Sequence, residues 1–249
     1  MTSEFKDHFS IASDDYDRYR PCYPEALFNY LASESKNLGR AWDCATGTGQ
    51  SAVNLALYFR EVIATDASEA QIKNTVATGG VAYKVALAES TDIEANSIDL
   101  ITVAQALHWF NIGAFADEVI RVLKPDGMLA VWTYSFLNVN SAIDEIVNDF
   151  YGRVLEPYWP DERKMVEAGY KDIHFPLEEK QTPGFKMQQD WNLQQLIGYL
   201  STWSAVKRYH KEMGKNPIEK LQQKLTPLWG QTENYKTIEW PLTVRLWVK

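Results

Sequence analysis

The chain has 249 residues, 45% of them hydrophobic and 23% charged, a balance that suits one soluble α/β domain able to bury its own core. A formal net charge of -8 argues against a phosphate-tracking surface, so no nucleic-acid partner is expected. Two cysteines, Cys22 and Cys44, with no Cys/His cluster at ligand spacing, support neither a disulfide framework nor a metal site.

The first residues, Met1-Thr2-Ser3-Glu4-Phe5-Lys6-Asp7, lack the apolar stretch of a secretion signal, and no run approaches eighteen apolar residues. A cytoplasmic location, without membrane attachment, is the expectation. Residues 1–23 are polar and aromatic. Pro24 and Glu25 suit the first turn of a helix, with Leu27, Phe28 and Leu31 on its apolar face. Asn37-Leu38-Gly39 ends it.

Strands and helices then alternate. Arg40–Ala45 reads as a strand, 50–59 as a helix, and Glu61–Asp66 as a second strand. Ser68 reads as an N-cap with Gln71 three residues on, and Gly79-Gly80 closes that helix. Val81–Ala86 is the third strand and Ser97–Ala104 the fourth, almost continuously apolar as a central parallel strand should be. A helix over 113–123 turns Phe115, Val119, Val122 and Leu123 inward, and Lys124-Pro125-Asp126-Gly127 leads into a fifth strand, Met128–Thr133. Such alternation predicts a Rossmann-like α/β three-layer sandwich on a mostly parallel, seven-stranded sheet.

Beyond Thr133 the rhythm changes. Residues 134–165 read as helical and aromatic, Gly169–Phe175 as a strand, 189–210 and 216–229 as two helices, and Thr237–Lys249 as a long strand or strand pair, antiparallel at the C-terminus. The whole of 1–249 is expected to be one domain. Its core comprises 24–133, 170–176 and 237–249, and an aromatic helical cap is drawn from 1–23, 134–165 and 185–230.

The most informative segment is Asp43-Cys44-Ala45-Thr46-Gly47-Thr48-Gly49-Gln50, followed by Ala64-Thr65-Asp66. A strand ends in an acid, two glycines let backbone approach a ligand, and a second strand ends in a carboxylate placed to accept hydrogen bonds from ribose hydroxyls. That pattern points to an adenosine-containing cofactor. The dinucleotide fingerprint wants a third glycine where Asn54 stands, and Asp43 would repel a pyrophosphate. S-adenosylmethionine, whose ammonium group a strand-end acid can hold, is therefore favoured over NAD.

With these residues in view, the chain resembles the class I S-adenosylmethionine-dependent methyltransferases, type 11 domain, of the small-molecule kind that includes trans-aconitate and farnesoic-acid methyltransferases. Ala88-Glu89, Asp99-Leu100, Gln105-Ala106-Leu107-His108-Trp109-Phe110, Leu123-Lys124-Pro125-Asp126-Gly127, the opening Tyr16-x-x-Tyr19-Arg20-Pro21-x-Tyr23-Pro24 and Thr202-Trp203-Ser204 also carry the likeness. The resemblance implies that Asp43, Ala45, Gly47 and Gly49 line the methionine end, that Asp66 with Ala67 takes the ribose, that Ala88 and Glu89 border adenine, and that Gln105 lies beneath the sulfonium. The product would be S-adenosylhomocysteine. Two departures stand out. Ala45 replaces the family's first glycine, acceptable if φ stays negative, and Leu87 replaces an acid that often meets the adenine amine.

His108 and Trp109 follow the fourth strand at the edge where a reactive methyl should lie. His108 reads either as a general base for a hydroxyl or amine acceptor, or as a hydrogen-bonding link to the cap. Trp109 reads as a wall of the acceptor pocket or as a core ring. Tyr19 is expected to face the cavity, and Arg20 either clamps an acceptor carboxylate or pairs with Asp15 or Asp17. Trp203 and Tyr199, four apart, should share a helical face that packs the cap. Lys207, Arg208 and His210 read as a solvated cluster. The resemblance points to O-methylation of a carboxylate; N- or C-methylation, a non-catalytic cofactor-binding regulator and a nucleotide-dependent oxidoreductase are the rivals. The acceptor's identity and the oligomeric state are not encoded legibly.

Overall fold

The architecture comes from a computed structural model that describes residues 19–134 and 136–249. The expectations for residues 1–18, including a pairing of Arg20 with Asp15 or Asp17, lie outside the described residues. Helix α1 (Glu25–Glu34) buries Leu27, Phe28 and Leu31 and precedes strand β1 (Arg40–Cys44). There follow α2 (Gln50–Leu55), β2 (Glu61–Asp66), α3 (Glu69–Lys73), β3 (Val81–Val85), β4 (Ile98–Ala104), α4 (Ile112–Val122) and β5 (Leu123–Thr133). The Ser68 hydroxyl accepts from the Gln71 N–H at 3.4 Å, and Asn111 caps α4 through the Ala114 N–H.

The sheet order is β3-β2-β1-β4-β5, all parallel, continued by antiparallel β8 (Lys236–Val248) and β6 (Glu178–Lys180). β1 and β4 lie at the centre, and β4 is buried from Ile98 to Val103, which is why its sequence is apolar without alternation. Trp42 is fully buried and donates from its indole N–H to the Thr65 hydroxyl at 2.9 Å, pinning β1 to β2. One core packs α1, α2 and the cap on one face of the sheet, with Trp132 and Trp240 among its rings. The other packs α4 and residues 165–175 on the opposite face, around Trp42, Phe115 and Trp247.

β7 (Phe185–Trp191) pairs antiparallel with the first half of β8, and β6 with its end. The two short strands thus make one edge against β8, interrupted at residues 181–184, where the Thr182 hydroxyl donates to the Val244 carbonyl at 2.9 Å. The register changes by one residue across the interruption, as in a bulge. The described residues form eight strands, one more than the reading of the sequence.

Two expectations are corrected. Gly169–Phe175 is not a strand: Gly169 and Tyr170 have φ of 61° and 57°, a left-handed pair that turns the chain. Ile173 and Phe175 are buried on either side of exposed His174, so the alternation is real while the ladder is absent. Residues 189–210 are not one helix. β7 runs to Trp191, and Asn192 opens α7 (Leu193–Ser201) with a reciprocal capping box to Gln195, each bond 3.0 Å. Trp203 then begins α8 (Ser204–Met213), and α9 (Ile218–Trp229) completes this part. The segment 134–165 is helical only in part: α5 (Ser141–Asp149), a wide turn Phe150–Val154, a tight one Glu156–Tyr158, and then α6 (Arg163–Glu167). No helix among the described residues is long and apolar enough to cross a membrane.

Arg245 of β8 fastens the 169–175 turn. It donates to the carbonyls of Tyr170 and Ile173, the latter at 2.7 Å, pairs with Glu179 and lies over the Trp247 ring at 4.6 Å. Replacing it orphans two carbonyls and one carboxylate. Arg245→Met should cost about 1–3 kcal/mol in urea unfolding, and amide exchange should speed up first in residues 170–175.

Candidate active site

The ends of β1, β2, β4 and β5 meet on one edge, the position where parallel α/β sheets accept ligands. Residues 45–49 leave β1 as a tight turn. Its Thr46 N–H donates to the Thr65 carbonyl at 2.9 Å and its Gly49 N–H to the Thr46 carbonyl at 3.0 Å. Ala45, Gly47 and Gly49 have φ of 55°, 59° and 95°. The condition set for Ala45, a negative φ, is therefore not met. A non-glycine residue held left-handed stores backbone strain, and so does Gln105 at φ 56° at the end of β4. Two such residues on adjacent strand ends make this edge the candidate site.

The two glycines differ in role. A Cβ on Gly49 would stand 2.6 Å from the Tyr83 hydroxyl, so glycine there lets the β3 tyrosine close over the turn. A Cβ on Gly47 would meet only the Gln71 side chain at 3.9 Å and an Arg20 Nη at 4.0 Å. Gly47, not Gly49, is thus the point where backbone stands open to a ligand.

Asp66, half-buried at the end of β2, faces this turn. One carboxylate oxygen accepts from the Gly47 N–H at 2.9 Å and the other from the Ser68 N–H at 2.8 Å. The acid is locked in orientation, and each oxygen retains lone pairs for ribose hydroxyls. Ala67 is half-buried beside it. Ala88 is buried, while Glu89 accepts from the Asn111 N–H at 2.8 Å and so braces the start of α4.

Asp43 departs from its expected role. It is 1% exposed, and its two oxygens accept from the Thr46 hydroxyl at 2.5 Å and the Thr102 hydroxyl at 2.7 Å. Its carboxylate therefore buttresses the turn from beneath instead of presenting itself to an ammonium group. Burial pushes its pKa up to about 6 against the hydroxyls that favour the charged form. Gln105 is likewise engaged: its amide N–H₂ donates to the Tyr134 carbonyl at 2.8 Å and its oxygen accepts from the Thr133 hydroxyl, tying β4 to β5.

On the acceptor side, His108 lies in a single helical turn (Leu107–Trp109). Its Nδ1 is 2.9 Å from the Tyr170 hydroxyl, its ring stacks on that of Tyr170 at 6.2 Å, and Trp109 leans against it at 4.7 Å. Burial, aided by the Arg163 charge, lowers the His108 pKa to about 3. The imidazole is therefore neutral, and its Nδ1 contact with Tyr170 ties the end of β4 to the 169–175 turn. Arg163 itself donates from Nε to the Tyr151 hydroxyl at 2.7 Å and sits 5.4 Å from the Tyr151 ring and 5.1 Å from the Trp159 ring. Trp203 joins Tyr151 and Trp159, each at 5.6 Å, and touches Tyr199 edge-on at 6.1 Å. Trp203 and Tyr199 are in contact as expected, but across a helix boundary and not along one helical face.

Tyr19 packs its ring on Gly198 of α7, where a Cβ would lie 2.6 Å from it, and Arg20 reaches the Tyr23 hydroxyl at 3.3 Å and the Gly47 turn. Arg20 thereby lies beside the glycine turn. Tyr170, Tyr151 and Arg163 were missed by the sequence reading. Tyr170 hid in a misread strand, and Arg163 in the run Asp161-Glu162-Arg163-Lys164, which looks like a solvated charged surface.

Since Asp43 binds its proton more tightly when folded than its ordinary value of 3.8 implies, its contribution to stability is full below about pH 4 and is lost as pH rises through 6. Asp43→Asn keeps the shape and removes that dependence. Relative to the parent, the variant should gain about 2 kcal/mol on going from pH 4.5 to pH 7.5 in parallel urea titrations.

A family model described as a methyltransferase domain matches residues 42–131. A methyltransferase-family protein of Dictyostelium discoideum is 32% identical over 237 residues, 93% of this chain and 89% of its own length. A solved structure from Anaeromyxobacter dehalogenans, assigned as a type II methyltransferase, superposes with a TM-score of 0.88 at 36% identity, covering 92% of this chain and 97% of that one. A methyltransferase of an antibiotic biosynthesis pathway from Anabaena variabilis shares the fold alone, with a TM-score of 0.57 at 14% identity over 90% of this chain and 98% of that one. The open glycine turn, the oriented Asp66 carboxylate and these likenesses agree, and the chain belongs to the class I S-adenosylmethionine-dependent methyltransferases.

Proposed function

We propose that this methyltransferase acts on a small organic acid and methylates a carboxylate oxygen. The observation that carries this reading is the state of His108. It is neutral, its Nδ1 is engaged by Tyr170, and its pKa is near 3, while the other described histidines, His174 and His210, are exposed. An alcohol acceptor needs a base, whereas a carboxylate is already ionised at neutral pH. The cofactor supplies an electrophilic methyl group, and the protein's part is proximity and alignment.

In this reading Gly47 lets backbone meet the methionine moiety, with its ammonium group facing carbonyls of the 45–49 turn. The Arg20 guanidinium, beside that turn, pairs with the methionine carboxylate. Asp66 with Ala67 holds the ribose, and Ala88 and Glu89 border the adenine. Gln105, held rigid by Thr133 and Tyr134, forms the floor under the reacting centre. His108 and Trp109, with Tyr19 opposite, wall the acceptor side, where water is excluded by rings. The partner is a small molecule, and neither nucleic acid nor a metal has a part.

Calorimetry with S-adenosylhomocysteine tests the cofactor half: Asp66→Ala should weaken binding about tenfold or more, and unchanged affinity rejects the ribose assignment. A screen of carboxylic acids for S-adenosylhomocysteine release tests the acceptor half. On an acid so found, His108→Ala should keep kcat within about threefold, and the parent rate should show no inflection from His108 between pH 5 and 8. A loss of a hundredfold or more would return His108 to the role of base.

A further inference from the structure

Arg40, Arg121, Arg153 and Arg245 each pair with a carboxylate: Glu61, Glu118, Asp149 and Glu179. Arg163 does not. It is half-buried, its Nε donates to a phenol, and no carboxylate among the described residues lies within ion-pair distance of it. The rings of Tyr151 and Trp159 flank its guanidinium at 5.4 and 5.1 Å. The Tyr151 hydroxyl it binds donates onward to Glu167, so the tyrosine is fixed from both sides. The Trp159 indole N–H is held by the Tyr151 carbonyl at 3.1 Å, which sets the second wall.

A half-buried cation held between two rings, with its Nη edge uncommitted among the described residues, is a receptor for a planar anion. Its position matters as much as its charge. α6, which Arg163 begins, packs on the Leu107–Trp109 turn at the end of β4, and the charge is felt at His108, Tyr170 and Tyr199. The box therefore adjoins the acceptor side of the crevice, while Arg20 sits at the glycine turn.

We propose that Arg163 is the acceptor's anchor: it takes a carboxylate of the substrate through its two Nη groups, while Tyr151, Trp159 and Trp203 cover the apolar or flat body of that acid. The proposal rests on the methyltransferase reading of this edge and narrows the acceptor to an organic acid with an apolar body. Tyr151 presets the fork, so a ligand carboxylate need not order the side chain on binding. Lysine, a point charge, cannot reproduce a two-pronged contact.

The test uses the full chain saturated with S-adenosylhomocysteine and a panel of matched probes, among them 3-phenylpropionate with 3-phenylpropionamide and hexanoate with hexanamide, titrated by calorimetry or ligand-observed NMR. The parent should bind at least one acid about tenfold or more tightly than its amide. Arg163→Gln should erase that preference, and Arg163→Lys should restore only part of it, with S-adenosylhomocysteine affinity unchanged in both as proof of folding. If Arg163→Gln does not fold, the charge preference of the parent and its partial loss in Arg163→Lys decide the matter. No acid preferred over its amide by the parent, or a preference that survives Arg163→Gln, overturns the anchor. Acid binding that follows this pattern without methyl transfer to any acid sinks carboxylate methylation and leaves the anchor standing.

Discussion

Everything at the ligand edge hangs on a buried acid. Asp43 ends β1 inside the protein, and the hydroxyls of Thr46 and Thr102 clasp it from the turn and from β4. A carboxylate in such a place is costly, and its raised pKa measures how costly. What that cost secures is a fixed turn. With Thr46 held from below, Ala45 takes a left-handed conformation that it would populate sparsely in an isolated peptide, and Gly47 can offer its N–H to Asp66. Two acids on adjacent strand ends thus have opposite tasks. One is dry and supports; the other is half-wet and faces the ligand.

The acceptor side follows a different logic. It is built of rings, with hydrogen bonds only at their rims: Tyr151 to Arg163 and Glu167, Trp159 to the Tyr151 backbone, Tyr170 to His108. Rings lose little entropy on ordering and keep water out. In that dry setting a histidine is neutral and a guanidinium keeps its charge. Under the proposed reading this edge pairs a neutral histidine with a fixed cation, an arrangement that suits an acceptor already negative when it arrives. The long strand β8 joins the two sides, since one half completes the central sheet and the other carries β7 into the cap.

Particular elements show what was legible. The order β1-α2-β2 and the spacing from Gly47 to Asp66 follow from local chemistry: a strand must end, a glycine must turn, a second strand must return one layer over. The fold and the cofactor followed from that. The strand expected at Gly169–Phe175 failed because period-two burial can be met by a turn whose carbonyls an arginine satisfies. The break at Trp191 was invisible because Gln188-Gln189-Asp190 suits a strand edge or a helix face equally.

By itself, then, the order of residues determined the parallel sheet, the glycine turn and the acid that faces it, because these depend on neighbours within about twenty-five positions along the chain. Only the folded molecule decided that Asp43 faces inward, that Gly49 serves Tyr83, that His108 is buried against Tyr170, and that Arg163 has no carboxylate partner among the described residues. Each of these is set by residues distant in sequence, through burial and charge, and neither leaves a periodic trace.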